Sequence, residues 1–393
     1  MNTFVLVSGD FTTHGGMDCA NFHLARYLAD LPDAAVRIVA FHVEPPLAEH
    51  PNVTWHRVGK LMNSYALSEG RLDRAGRAVA RQFPGARVIV NGGNCAWGDV
   101  NWVHYVHAAW EPLSSGGIFV RARRATQHRR HLRYERRALR QAKLVIANSN
   151  RTRQDLIDHV GVEAARISTA YYGVDASRFV PATPEDRAAI RRELGLNTQV
   201  PAIAFVGELG DRRKGFDLLF DAWRMLGARG ASDAKLLVVG QGAELEKWKA
   251  RASSSELSDS IRFLGFRRDV PKILKACDAL ISPTRYEAYG LGVHEAICCG
   301  VPALVSASAG VAERYPAELS SLLIPEPLSA ECVAERLRDW WENSQRFEQP
   351  LARFGQTLRQ TSWEQMSSRI VELIDATCAS KCSNVIDNQR VYA

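Results

Sequence analysis

Glu287 and Glu295 flank the step Tyr289-Gly290-Leu291-Gly292, in the run Pro-Thr-Arg-Tyr-Glu-Ala-Tyr-Gly-Leu-Gly-Val-His-Glu-Ala-Ile-Cys-Cys-Gly-Val-Pro. The apolar run Ala279-Leu280-Ile281 reads as a buried strand that stops at Pro283, and Gly290 and Gly292 let the chain turn closely into a helix ending at Gly300. The first N–H groups of a helix have no acceptor inside it and can hold an anion. One glutamate precedes that helix and the other lies in its early turns. The carboxylates can therefore accept hydrogen bonds from hydroxyls while the amides between them donate to a diphosphate. A solvated helix with two surface glutamates is the plain alternative, and the companion segments decide against it.

The spacing of a glutamate, seven residues and a second glutamate, with Gly-Leu between and Gly-Val-Pro after, resembles the donor-binding signature of the retaining glycosyltransferases of family 4. The resemblance implies the α/β fold called GT-B: two Rossmann-like parallel-sheet domains facing a cleft, with a C-terminal helix crossing back to the first. It implies that Glu287 meets the transferred sugar, the amides of Tyr289, Gly290 and Leu291 the sugar and diphosphate, and Glu295 the ribose hydroxyls. The donor is then a UDP- or GDP-sugar and the acceptor a saccharide or a lipid-linked saccharide. No cofactor and no metal are expected. The sequence has no D-x-D triplet to hold a metal, so Arg213 and Lys214 are expected to neutralise the leaving diphosphate.

Those two cations sit in Phe205-Val206-Gly207-Glu208-Leu209-Gly210-Asp211-Arg212-Arg213-Lys214-Gly215, where a strand ends, a glycine loop follows and a basic pair precedes a helix. Glu208 stands where many family members have arginine, and the loop is one residue longer. Gly207, Gly240 and Phe266, each just after an expected strand, are placed beside the nucleotide. In the first half, Thr12-Thr13-His14-Gly15-Gly16-Met17-Asp18 opens a helix, and Gly15 and Gly16 resemble the family's first loop. The dinucleotide fingerprint G-x-G-x-x-G is missing there, which counts against a dehydrogenase. His104 and His107 lie on and just after an expected strand, Trp102 to Val106. The family uses a histidine at such a strand end against the donor sugar, and His107, nearer the loop, is the choice. Tyr172, in Tyr-Gly-Val-Asp, replaces the family's usual asparagine. Glu208 and Tyr172 are the departures that feed a competing class, a nucleotide-sugar-binding protein without catalysis. An epimerase on the same scaffold is a third reading.

The chain has 393 residues, 46% hydrophobic and 24% charged, which fits a soluble protein of two domains. Met1-Asn2-Thr3 has no basic region, and the apolar run after it is halted by Gly9 and Asp10, so a secretory leader is not expected. The eight cysteines lack zinc spacing and read as reduced thiols of a cytoplasmic protein. The net charge of +7 is uneven: nine arginines and one lysine face the single Glu135 between Arg121 and Lys143. Ala125, Leu132, Leu139 and Ala142 fall at roughly helical intervals in this segment, giving a helix with one buried stripe and a cationic remainder. That face is read as solvated or as a contact with anionic lipid on the inner side of a membrane, ahead of nucleic acid.

These residues need strand ends and helix starts to hold them, and the pattern supplies both. Strands are expected at Phe4 to Ser8, Val36 to Val43, Arg87 to Asn91, Leu144 to Ala147 and Ile167 to Tyr171, and again at Ala202 to Val206, Lys235 to Val239, Ile261 to Leu264, Ala279 to Ser282 and Ala303 to Ser306. Strand-helix alternation at this spacing means two parallel sheets covered by helices. The expected domains are 1–180, for the acceptor, with about 362–379 crossing back after Thr361-Ser362-Trp363-Glu364, and 181–361, for the nucleotide sugar. Residues 380–393 read as a frayed tail.

Overall fold

A computed structural model of the chain describes residues 2–62, 64–112, 117–210, 212–227 and 234–390, with the backbone alone for 66, 119, 120 and 378–390. Asp211, the side chains of Cys378 and Cys382, and the last three residues of the expected tail lie outside the described part. The chain forms two compact units, one of 1–111, 122–173 and 362–393, the other of 112–121 and 174–361.

The first unit carries β1 (Asn2–Val7), β2 (Asp10–Phe11), β3 (Ala34–Ala40), β4 (His42–Val43), β5 (Val53–Arg57), β6 (Arg87–Asn91), β7 (Val100–Val103), β8 (Leu144–Ala147) and β9 (Ile167–Thr169). Seven of these make one sheet in the order β5-β3-β1-β6-β7-β8-β9, with β2 and β4 paired separately. Every pairing in it is parallel. β1, β6 and β8 are continuous apolar runs because both faces of a parallel sheet are covered. β5, Val-Thr-Trp-His-Arg, is a half-exposed edge strand whose polar residues hide it from a hydrophobicity reading. The helices are α1 (Met17–Asp30), α2 (Pro45–Ala48), α3 (Tyr65–Gln82), α4 (Ile118–Gln141) and α5 (Asn150–Asp155).

The second unit carries α6 (Pro184–Glu193), β10 (Ala202–Val206), α7 (Phe216–Gly227), β11 (Lys235–Val239), α8 (Leu245–Ser253), β12 (Ile261–Gly265), α9 (Val270–Ala276), β13 (Ala279–Ser282), α10 (Leu291–Cys298), β14 (Ala303–Ser306), β15 (Leu323–Ile324), α11 (Ala330–Glu342) and α12 (Glu348–Arg359). Its sheet runs β12-β11-β10-β13-β14-β15, all parallel. The strand order reverses at β10, which has β11 on one side and β13 on the other. Such a switch point opens a crevice at the carboxyl ends of the strands.

α13 (Trp363–Arg390) returns to the first unit, where the Trp363 ring stacks on His23 of α1 with centroids 4.8 Å apart. Its start is a reciprocal cap: Gln365 N–H donates to Ser362 Oγ at 3.1 Å and Ser362 N–H to Gln365 Oε1 at 2.7 Å. The helix continues through Arg390, past the start of the expected tail, because no glycine or proline interrupts 363–390. Among the described residues no helix is long and apolar enough to cross a membrane.

The basic segment is indeed helical, but its buried stripe differs from the expected one. Ala125 is exposed and Leu132 only half-buried, while Glu135, Ala138, Leu139 and Ala142 are buried. Leu139 and Ala142 join a core with Val103, Val145 and Leu156, which anchors the C-terminal end of α4. The lone acid of the run is on the inside, so the charged residues on its outer face are all cations.

Candidate functional site

The crevice of the second unit is built by close backbone approach. Gly207 N–H donates to Val239 O at 3.0 Å, Leu209 N–H to Gln241 O at 3.0 Å, and Gly240 N–H to Gly265 O at 2.8 Å, lacing together the loops after β10, β11 and β12. Gly240 has φ +145°, and a Cβ there would lie 1.9 Å from Gly207 O. Gly215 has φ +69°, and a Cβ would lie 1.8 Å from Pro283 O, so the cationic loop can rest on the end of β13 only through glycine.

On that platform the Lys214 ammonium pairs with the Glu287 carboxylate, joining the loops that leave β10 and β13. Arg213 donates from Nη1 to Tyr286 O at 3.3 Å, while its own carbonyl accepts from Arg285 N–H at 2.8 Å and from Thr284 Oγ1 at 3.0 Å. Arg285 is clamped on Asp217 of α7 through Nη1 and Nη2, at 2.7 and 2.8 Å. Arg212 turns elsewhere, at φ +62°, with Nη1 4.0 Å from Asp217 and Nε 3.9 Å from Glu244. Glu208 is exposed.

The two acids are tuned in opposite directions. Burial alone would raise the Glu287 carboxyl, but Lys214 and Arg213, with the Tyr289 N–H, hold it below the usual value. Glu295 is pushed up to about 8 by burial, with Arg178 pulling weakly the other way. Gly290 caps α10 at φ +110°, where a Cβ would meet Val311 at 2.9 Å. The Tyr289 side chain is buried, its Oη 2.8 Å from His294 Nδ1, so it faces the core and only its backbone is offered to a ligand. Phe266, just after β12, is 49% exposed.

Gly207, Arg213, Lys214, Gly240, Phe266, Glu287, Tyr289, Gly290, Leu291 and Glu295 thus belong to one unit; Gly15, Gly16 and His107 belong to the other. Gly15 has φ +85° and Gly16 caps α1. Their surroundings hold acids already. Glu44 accepts from Thr13 N–H at 3.0 Å, and the Asp18 carboxyl is pushed up to about 7 by burial and by Asp10, against the pull of Lys60. Such a loop suits hydroxyl donors better than a second anion.

β7 ends at Val103, short of the expected Val106, and His107 opens a 3-10 turn, His107–Ala109. His104 is buried, hydrogen-bonded to Asn91 Nδ2 at 2.9 Å and to Tyr172 Oη. Burial pushes its imidazole down to about 3, so it is a neutral part of the core. Tyr172 also accepts from Asn148 Nδ2 at 3.1 Å, which gives this replacement a structural place. His107 is half-exposed. Sequence reasoning missed Glu135 and His131, which meet His107, and Glu69, which meets His131. The signal available was that Glu135 is the one acid in a cationic run.

Residues 186–361 match the model of the glycosyl transferases group 1, and residues 14–178 that of glycosyltransferase family 4. The chain belongs to this family. It is similar to a GDP-mannose-dependent monoacylated alpha-(1-6)-phosphatidylinositol monomannoside mannosyltransferase of Corynebacterium glutamicum, 32% identical over 215 residues, 52% of this chain and 55% of that one. The chain spans about half the length of the first curated relatives it matches. Among solved structures it resembles WaaG, a glycosyltransferase involved in lipopolysaccharide biosynthesis, with TM-score 0.75, 20% identity and coverage of 95% of this chain and 99% of that one. It also resembles Anabaena Alr3699/HepE in complex with UDP-glucose, with TM-score 0.72, 18% identity and coverage of 95% and 99%. The fold is GT-B.

Gly240→Ala should lower the melting temperature, since left-handed strain costs on the order of 1–3 kcal/mol and the Gly207 carbonyl must also move. An unchanged melting curve would show that the loops after β10 and β11 do not need this approach.

Proposed function

We propose that the protein is a retaining, metal-independent glycosyltransferase that moves a sugar from a UDP- or GDP-sugar to a saccharide or lipid-linked acceptor. The observation that carries this is the Lys214–Glu287 pair at the switch point, with Arg213 beside it and the amide end of α10 next to Glu287. A glutamate held ionised beside two cations accepts sugar hydroxyls, and the cations stabilise the charge that builds on the departing diphosphate. The diphosphate takes the acceptor proton as the new bond forms on the same face. Glu295 accepts the ribose hydroxyls, and the exposed Phe266 ring offers an apolar face to the base. His107 is the first-unit residue proposed to touch the transferred sugar. The names of the relatives favour glycolipid or cell-surface polysaccharide assembly, and the cationic face of α4 favours peripheral attachment to the cytoplasmic side of an anionic membrane.

Because the folded-state pKa of Glu295 lies above its ordinary 4.5, the stability it contributes is full below about pH 4.5 and is lost as pH rises through about 8. Ribose hydroxyls donate more strongly to the carboxylate, so nucleotide affinity should rise between pH 6.5 and 8.5. Glu295→Gln should flatten that dependence and weaken nucleotide and donor alike, whereas Glu287→Gln should spare free nucleotide and weaken the intact donor. Superimposable titration curves for the two variants would refute both assignments.

Lys214→Ala should lower turnover by about 10²-fold or more, with chelator leaving the wild type active and product analysis showing a retained anomeric configuration. Activity abolished by chelator and restored by magnesium or manganese would overturn the metal-free mechanism. An inverted product would overturn retention.

The protein should bind anionic vesicles and not neutral ones, with binding weakened by salt. Arg129, Arg133 and Arg137 are exposed, whereas Arg130 is drawn to Glu69 at 3.5 Å, so charge reversal at the first three is the cleaner test. Vesicle binding should vanish while nucleotide binding persists; failure of the wild type to bind anionic vesicles at low salt would make α4 a solvated face only.

A further inference from the structure

Glu135 is wholly buried, which for a lone carboxylate demands a partner at each oxygen. One oxygen accepts the N–H of His107 at 2.7 Å and the other the N–H of Ala108 at 3.0 Å. These are the leading N–H groups of the turn His107–Ala109, for which a 3-10 turn has no internal acceptor. The later groups of the turn are closed by backbone, Ala109 N–H to Val106 O at 3.1 Å and Trp110 N–H to His107 O at 3.5 Å. Glu135 therefore completes the one part of the turn that the backbone leaves open.

The same helix also holds the ring. The His107 imidazole stacks on that of His131, centroids 4.8 Å apart and planes 9° from parallel, and meets the Tyr105 ring at 4.8 Å and 66°. His131 is fixed in turn by a contact from Nδ1 to the Glu69 carboxylate of α3. His131 and Glu135 are one helical turn apart and point the same way, so α4 grips His107 by backbone and by ring from a single face.

We propose that Glu135 is a positioning residue for His107, setting the turn that presents the imidazole, and that His131 fixes the ring plane. This rests on the role given to His107 under Proposed function. It accounts for the single acid in a segment otherwise cationic: Glu135 serves the turn, not the surface. Gln at this position keeps the shape and one acceptor but sets an amide N–H against a backbone N–H, so the turn must shift.

The test is a double-mutant cycle on the full chain with Glu135→Gln and His107→Ala, measuring kcat at saturating donor, nucleotide affinity and melting temperature. His107→Ala should lower kcat. Glu135→Gln should lower it about tenfold or more, with nucleotide affinity unchanged, and in the His107→Ala background it should change kcat by less than about twofold. Equal losses in both backgrounds would overturn the inference while leaving His107 in the reaction. An unchanged kcat in His107→Ala would remove His107 from the reaction, and the inference with it. His131→Ala and His131→Phe give an arm that leaves the buried carboxylate intact. The aromatic variant should recover most of the kcat that alanine loses, and equal loss in the two would overturn the stacking role.

Discussion

Lys214 and Glu287 are held together although 73 positions separate them, and the candidate site follows from the constraint that brings them there. Parallel strands place all their carboxyl ends on one edge, so loops from distant stretches of sequence meet without long excursions. β10 and β13 are neighbours in that sheet, and the cation of one loop meets the carboxylate of the other. The contact is sterically narrow: Gly215 must lie against Pro283, and Thr284 and Arg285 must hold the Arg213 carbonyl, before Lys214 can reach. A partly buried ion pair of this kind contributes more to defining geometry than to stability, because desolvation cancels much of its attraction.

The pairing also explains why two glutamates on one short stretch behave differently. Glu287 has a cation on its carboxylate and stays ionised in spite of burial; the Glu295 carboxyl is raised by burial, with Arg178 pulling the other way, and prefers its proton. Divergent environments for like groups are how one site assigns separate tasks to each. On the roles proposed above, a charged acceptor suits the group facing the transferred sugar, and an acid raised to about 8 suits a contact that changes with pH as the nucleotide binds.

The sheets were legible because buried parallel strands are continuous apolar runs: Arg87–Asn91, Leu144–Ala147, Ala202–Val206 and Lys235–Val239 have the expected bounds. Edge elements were not, since Val53–Arg57 needs only one covered face and carries Thr, His and Arg. In the candidate site, glycines and charged pairs at strand ends were readable from local order. What sequence could not disclose was direction. Tyr289 turns its side chain to His294, Arg212 turns away to Glu244, and His104 is enclosed by Asn91 and Tyr172 while its neighbour His107 is half-exposed. Each outcome depends on contacts to residues far away in sequence.

α4 joins the two kinds of information. Its inner side, His131, Glu135, Ala138 and Leu139, is specified by packing and by the His107 turn, and that leaves the outer side free to vary. A helix kept soluble for its own sake mixes signs, because like charges three or four residues apart destabilise it by about 0.2–0.5 kcal/mol per pair. Arg129, Arg133, Arg136, Arg137 and Arg140 are all exposed at such spacings, with no acid among them. That repulsion is a cost to the helix on its own, and the anionic surface proposed above would offset it.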